Sequence, residues 1–265
     1  MSKAGCSISF VVPALNEEQV IEEVVRQIWT TVDPLLDRYE IILINDGSTD
    51  RTGEIMERLS QDLPNLRVLH HPTNFGLGAS YQHGVKEARL DYVMMLCGDG
   101  GLPAASLPAI IAKVGSADIV VPYMTNLQRI KTPTRYLVSR TYTSLLNMIS
   151  GHRLHYYNGL PVHRRDLLSR LTITSTGFGF QGEILVKLMK SGFSYVQVGV
   201  LGAECTHRTS AFRLKNVVSV ATTLFGLVVE LTSFVSLSDG LSANDSGAAS
   251  TGANDVAASV PRRAV

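Results

Sequence analysis

Four consecutive apolar residues, Ile41-Ile42-Leu43-Ile44, stop at Asn45-Asp46-Gly47-Ser48. No polar residue breaks the run, so the segment reads as a strand buried on both faces, as in a parallel sheet covered by helices. A carboxylate at the C-terminal end of such a strand, followed by a turn glycine and a helix cap, stands where open α/β sheets place ligand-binding groups. Asp46 is therefore expected to point out of the core and to hold something polar, such as the base or ribose of a nucleotide.

The rest of the first half repeats this grammar. Ile8 to Pro13 reads as a strand, followed by a helix from Glu17 to Val32 that Asn16 would cap. Tyr39 to Asn45 is the second strand, and Ser48 or Asp50 would cap a helix from Arg51 to Asp62. Leu66 to His70 is a third strand, and the turn Asn74-Phe75-Gly76-Leu77-Gly78 opens a helix running through Ala88. Tyr92 to Leu96 is a fourth strand, Leu107 to Val114 a helix and Ile119 to Val121 a fifth strand. This alternation predicts a mostly parallel sheet with helices on both faces. The second half is less regular: helices over 134–150, 165–171 and 181–191, a loop and short strand over 156–163, and a last strand over 195–200. Such a half would shape the acceptor side of a cleft whose donor side lies on the sheet.

A length of 265 residues with 45% apolar content suits one large domain with an appendage, and a net charge of +1 argues against a nucleic-acid partner. Cys6, Cys97 and Cys205 are scattered and form no CxxC pair, which suits a reducing compartment. The chain enters an apolar strand almost at once, so no secretory signal is expected. Near the C-terminus, Val217 to Val235 carries apolar residues at helical spacing. The span is short for a membrane crossing and contains Glu230. It reads either as an amphipathic helix at a membrane surface, helped by Arg208, Arg213 and Lys215, or as a helix docked on its own domain. The expected division is a catalytic domain over 1–212, this helix over 213–237, and a disordered tail rich in Ser, Ala, Gly, Asp and Asn over 238–265.

Four polar or glycine-rich strand ends should converge on one edge of the sheet: Pro13 to Glu17, Asn45 to Ser48, Asn74 to Gly78, and Cys97-Gly98-Asp99. Asp99 lies among glycines, so a phosphate or metal could approach it closely; a lone carboxylate beside a diphosphate is a natural ligand for a hard divalent ion. The plainer alternative is a turn aspartate held by backbone amides. Gly76-x-Gly78 could cradle a phosphate, although it lacks the third glycine of a dinucleotide fingerprint. Arg129, Lys131, Arg135 and Arg140 gather near the 134–150 helix, either as a solvated basic face or as a clamp on an anion. His152, His155 and His163 match no common zinc spacing.

These segments resemble family 2 glycosyltransferases of the GT-A fold, and within them the dolichol-phosphate mannose synthase and polyprenyl-phosphate glycosyltransferase group. The resemblance runs from about Ile8 to Leu231. It rests on VVPALNEE (Val11 to Glu18), INDGSTDRT (Ile44 to Thr52), NFGLGASYQHGVKEA (Asn74 to Ala88), GFGFQGE (Gly177 to Glu183) and the basic segment His207 to Lys215. It implies an inverting transfer of a sugar from a nucleotide diphosphate donor. Pro13, Ala14, Glu17, Ile44 and Asp46 match donor-nucleotide positions. Gly98 and Asp99 match the end of the family's Asp-x-Asp motif, with Asp99 as ligand to Mg or Mn. Arg135 and Arg140 match basic residues near an acceptor phosphate, and Arg208 an arginine that contacts the diphosphate. The chain departs from the pattern at Cys97 and Gly101, which thin the metal site. It also departs at Asn45, Met124, Ala211 and Asn158-Gly159-Leu160-Pro161.

The implied partners are a nucleotide-sugar, a polyprenyl phosphate and the cytoplasmic face of a membrane. Two alternatives stand beside this one. The same fold could act on a soluble or glycan hydroxyl, with Glu183 as the candidate base, or the chain could be a non-catalytic nucleotide-binding protein. A lipid phosphate is already an anion and needs positioning more than deprotonation, whereas a hydroxyl needs a base. A cleft rich in arginines favours the phosphate.

Overall fold

The structure is a computed structural model that describes residues 4–202 apart from Thr176 and Phe178. Arg208, the expected 213–237 helix and the expected 238–265 tail lie outside the described residues. Seven strands form one sheet: β1 (Ala4–Ala14), β2 (Leu36–Asn45), β3 (Leu66–His70), β4 (Tyr92–Met95), β5 (Ile119–Met124), β6 (Val162–Arg164) and β7 (Tyr195–Val200), in the order β3-β2-β1-β4-β6-β5-β7. Only β6 runs antiparallel to its neighbours, β4 and β5. All the other strands therefore end at the same edge, with Ala14 in register with Asn45 and Asn45 with His70.

The expected alternation is present. Helices α1 (Ile21–Val32), α2 (Thr52–Asp62), α3 (Leu77–Glu87) and α4 (Leu107–Ile111) follow the first four strands. After β5 come α5 (Leu127–Ile130) and α6 (Pro133–Ser150); α7 (Arg165–Ser169) follows β6, and α8 (Phe180–Lys190) precedes β7. Each helix sits where an apolar stripe demands it. In α1 the buried residues are Ile21, Val25, Ile28 and Val32, spaced four, three and four apart. The core of β2 is fully buried from Ile41 to Ile44, and each such side chain contributes roughly 1.5–3 kcal/mol when removed from water. In α8 nine residues are buried, including Gln181 and Glu183, so this helix is internal rather than a surface layer.

The helix starts differ from expectation. Asn16 does not cap α1: it adopts φ 56°, and its Oδ1 accepts the Thr49 N–H at 2.8 Å. The carbonyl of Glu17 takes both the Val20 and Ile21 N–H groups, so a tight turn precedes a helix that begins only at Ile21. Ser48 does not cap α2 either, because its hydroxyl accepts the Asn16 N–H. Asp50 serves instead, one residue ahead of the formal cap, taking the Thr52 N–H at 3.0 Å. The short helix α5 was not expected, and α4 stops three residues before Val114.

Candidate active site

The end of β1 is the hub. The carbonyl of Ala14 accepts the Asp46 N–H at 3.0 Å from one side, and the carbonyl of Pro13 accepts the Gly98 N–H at 3.1 Å from the other. Three of the four polar strand ends thus meet across β1, with Asp46 on one flank and the Gly98-Asp99 turn on the other. A Cβ at Gly98 would stand 2.7 Å from Ala14 Cβ and 3.1 Å from the Pro13 carbonyl oxygen, so only glycine lets this turn lie so close to β1. Pro13, Ala14 and Ile44 are buried and form the floor of the edge, while Glu17 is half-buried above it. The Glu17 N–H donates to Thr52 Oγ1 at 2.8 Å, which ties the loop after β1 to the start of α2.

Asp46 departs from expectation. Rather than pointing out of the core, it is 4% exposed. Its Oδ1 accepts from His71 Nδ1 at 2.7 Å and from the Phe75 N–H at 3.0 Å, and its Oδ2 accepts from the Gly76 N–H at 2.9 Å. The carboxylate therefore fills the start of the loop into α3, where the sequence suggested a phosphate cradle. Gly47, at φ 73°, fits the same packing: a Cβ there would sit 2.6 Å from the Asn74 nitrogen, against backbone that cannot yield. Asn45 is used internally as well. Its Oδ1 accepts the Ser48 N–H, and its Nδ2 donates to His70 Nδ1 at 3.0 Å, while His70 Nε2 meets Glu57 at 2.8 Å. Asn45 and Asp46 are thus matched, one for one, by His70 at the end of β3 and His71 just after it.

Asp99 is exposed, as a ligand-binding group should be. Its Oδ1 accepts the Gly101 N–H at 3.0 Å, the local turn bond that the plainer reading expected. No group of three or more His, Cys, Asp or Glu side chains able to hold an ion occurs among the described residues. Arg135 is half-buried and Arg140 exposed on α6. This helix leaves from the end of β5, at the same sheet edge as Asp46 and Asp99. Lys131 is committed elsewhere, donating to Ser139 Oγ and Tyr156 OH at 3.1 Å each. Asn126 clamps Gly202 at this edge through two hydrogen bonds of 2.9 Å, and Arg208 follows six residues later in sequence.

Glu183 is 1% exposed and saturated. Lys187 Nζ donates to it at 2.8 Å, Thr174 through its N–H at 2.9 Å and its hydroxyl at 3.0 Å, and the Ser175 N–H at 2.9 Å. Burial acts to raise its pKa, but the Lys187 hydrogen bond and those from Thr174 and Ser175 outweigh burial and hold the carboxyl below its ordinary range. The geometry is that of a brace between α8 and the 172–175 segment. The three histidines do not form a set: His163 is buried in β6, His155 stacks on Tyr123 at 4.3 Å, and His152 lies edge-on to Tyr195. A cavity of about 240 Å³ lined by Asp91, Tyr92, Arg164, Arg165 and Asp166 opens at the opposite end of β4, away from this edge.

His71 and His83 escaped the sequence reading. The signal for His71 was present: in parallel strands ending in register, the residue after His70 stands beside the residue after Asn45.

The family model for glycosyl transferase family 2 matches residues 9–175. A dolichyl-phosphate beta-glucosyltransferase of Trichomonas vaginalis is 27% identical over 164 residues, 56% of this chain and 50% of that protein. An undecaprenyl-phosphate 4-deoxy-4-formamido-L-arabinose transferase of Salmonella choleraesuis is 27% identical over 168 residues, 62% of this chain and 50% of that protein. The chain thus spans half the length of each of these relatives. Among solved structures, glucosyl-3-phosphoglycerate synthase from Mycobacterium tuberculosis, in complex with Mn2+, UDP-glucose and phosphoglyceric acid, superposes with a TM-score of 0.64. It is 24% identical, over 84% of this chain and 80% of that one, and the likeness is one of fold. With strand ends that meet across β1 in a GT-A-type sheet, and a family model that covers more than half of its residues, this chain belongs to glycosyl transferase family 2.

Proposed function

We propose that this protein transfers a hexose, with inversion, from a nucleotide diphosphate sugar to a polyprenyl phosphate, working peripherally at the cytoplasmic face of a membrane. The observation that carries the acceptor class is the outer face of α6. Leu137 is 67% exposed, Val138 53%, Leu145 38% and Met148 75%. Leu137, Leu145 and Met148 follow helical spacing, and Arg140 lies one turn from Leu137 at the border of the stripe. An exposed apolar stripe bordered by a guanidinium suits a ligand with a hydrocarbon chain and a phosphate head. Two relatives whose names specify dolichyl and undecaprenyl phosphates support the same reading.

The chemistry agrees. Glu183 is spent on internal bonds and Asp46 is held at the nucleotide edge by His71, Phe75 and Gly76, so neither is placed to take a proton from a hydroxyl acceptor. A phosphate acceptor needs no such base: it needs to be held in line with the anomeric carbon. Arg135 and Arg140 would hold its oxygens, and Arg208 would contact the donor diphosphate. Pro13, Ala14, Ile44 and Asp46 would seat the nucleotide, with Glu17 above them and Gly98 giving close approach beside Asp99. Asp99 fits a divalent ion that arrives with the diphosphate, since it is exposed and offers one carboxylate among glycines, with phosphate oxygens and water completing the shell. When bound, such an ion, Mg or Mn, would neutralise charge on the departing diphosphate.

The test is transfer of label from a panel of nucleotide-sugars in the presence of polyprenyl phosphate, followed by extraction into organic solvent. Label should enter the organic phase with wild type, and Asp99→Ala should abolish this while leaving the melting temperature unchanged. Label that stays in water would favour a soluble acceptor. Tight, metal-independent nucleotide binding without transfer would favour a binding protein. Undiminished turnover by Asp99→Ala would remove the role given to Asp99.

A further inference from the structure

We propose that His71, backed by His83, is a positioning residue for the donor nucleotide, acting through Asp46; the inference rests on the donor site described above. Asp46 is the buried acidic side chain at the nucleotide edge, 4% exposed, and it is held by a directed set of donors. Two are backbone N–H groups, from Phe75 and Gly76. The third is His71, itself 7% exposed, at 2.7 Å. A carboxylate only accepts, so Nδ1 of His71 carries the proton. His71 Nε2 lies 2.8 Å from His83 Nδ1. In the neutral ring with its proton on Nδ1, His71 Nε2 accepts from His83 Nδ1–H, and this contact holds the tautomer that Asp46 needs.

The ring has no freedom to turn. Phe75 packs on it at a centroid distance of 4.9 Å, and His83 stacks on it at 5.1 Å with an interplanar angle of 16°. The carboxylate plane is thereby fixed. Oδ1 is occupied twice and Oδ2 once among the described residues, so an acceptor position on Oδ2 remains, with its direction set by His71. Burying a carboxylate and an imidazole at a strand end costs solvation that a pair of apolar side chains would avoid. Aiming that last acceptor position at a nucleotide gives the arrangement a purpose that packing alone does not.

The test compares the full chain with His71→Leu and His71→Asn, measuring calorimetric binding of uridine, guanosine and adenosine diphosphates with Mn2+ and, in parallel, the melting temperature. The asparagine places an N–H donor where Nδ1–H stood; the leucine does not. Loss of one hydrogen bond to a charged group should weaken the best-bound diphosphate at least about tenfold in His71→Leu, while His71→Asn stays within about threefold of wild type. Both variants lose the packed ring, so both should melt lower; a purely structural role predicts equal affinities in the two. Equal binding by His71→Leu and wild type overturns the inference. Should His71→Leu fail to fold, His83→Leu at a half-buried position decides: about threefold weaker binding supports the relay, and unchanged binding overturns it. If wild type binds none of the diphosphates, the donor-site reading falls and this inference with it, an outcome distinct from the others.

Discussion

Glu183 shows how a residue's partners decide its role. Its position in GFGFQGE made it the natural base for a hydroxyl acceptor, yet four hydrogen bonds from Lys187, Thr174 and Ser175 consume its oxygens. Glu183→Gln would turn an amide N–H toward one of these donors and leave Lys187 without its counter-charge. We expect a loss of about 2–3 kcal/mol in stability, read as a lower urea midpoint, with turnover of the folded enzyme within a few-fold of wild type. A general base would behave in the opposite way, keeping stability and losing roughly 10²–10⁴ in rate. The sequence could not separate these outcomes, because the partners of Glu183 lie on a segment whose path no periodicity reveals. Asp46 was legible to a different degree. Its place at a strand end followed from the apolar run Ile41 to Ile44, but its enclosure depends on His71, which is 25 residues away. Asn16 was misread as a cap because asparagine suits a helix cap and a left-handed backbone alike: at φ 56° its side chain turns toward Thr49 instead of α1.

The elements divide along the same line. Strands β1, β2, β4 and β5 were legible because burial on both faces leaves a short apolar run in each, β3 because Leu66, Val68 and Leu69 still read as a strand although Arg67 interrupts them and only Leu66 is buried, and helices α1 to α3 because their stripes repeat at helical spacing. Helix α6 was legible in extent but not in orientation. Its buried residues are only Thr143, Leu146 and Ser150, while Leu137, Val138, Leu145 and Met148 are exposed. A reader of the sequence would place those four inside. The mismatch gives a direct test of lipid contact. Leu137→Glu combined with Met148→Glu changes two side chains that are 67% and 75% exposed, so the fold should hold within about 0.5 kcal/mol. Transfer to a long-chain polyprenyl phosphate in vesicles should fall by about tenfold or more, as two apolar contacts worth roughly 1 kcal/mol each are replaced by charges facing lipid. Transfer to a short, water-soluble prenyl phosphate should change little. Equal activity on long and short acceptors in the double variant would show that this face does not meet the hydrocarbon chain.

For the molecule as a whole, the same buried groups set the response to acid. His163 lies in β6, the antiparallel strand between β4 and β5, beside Val93 and Ile119. It is 1% exposed; among the described residues its Nε2 has no partner, and its Nδ1 reaches only Tyr81 OH at 3.5 Å. Burial pushes its pKa down from 6.5 to about 3. The folded chain thus keeps this imidazole neutral, while the unfolded chain protonates it below about 6.5, so stability falls with pH from there to about 3. Glu183 acts in the same direction at lower pH. Its folded pKa lies below the ordinary 4.5, so its contribution is present above that value and is lost as pH falls through the folded one. The two windows are separable by substitution. His163→Leu fills a similar volume with an apolar side chain and removes the first proton uptake. Between pH 7.5 and pH 5 wild type should lose about 2 kcal/mol that His163→Leu retains, at about 1.4 kcal/mol per pH unit below 6.5. Below about pH 4.5 the unfolded chain also takes up a proton at Glu183, so both proteins decline there, wild type the more steeply until about pH 3. Urea unfolding across this range reads the difference directly. Parallel curves for wild type and His163→Leu from pH 7.5 to 5 would mean that the buried imidazole finds a way to accept its proton in the folded sheet.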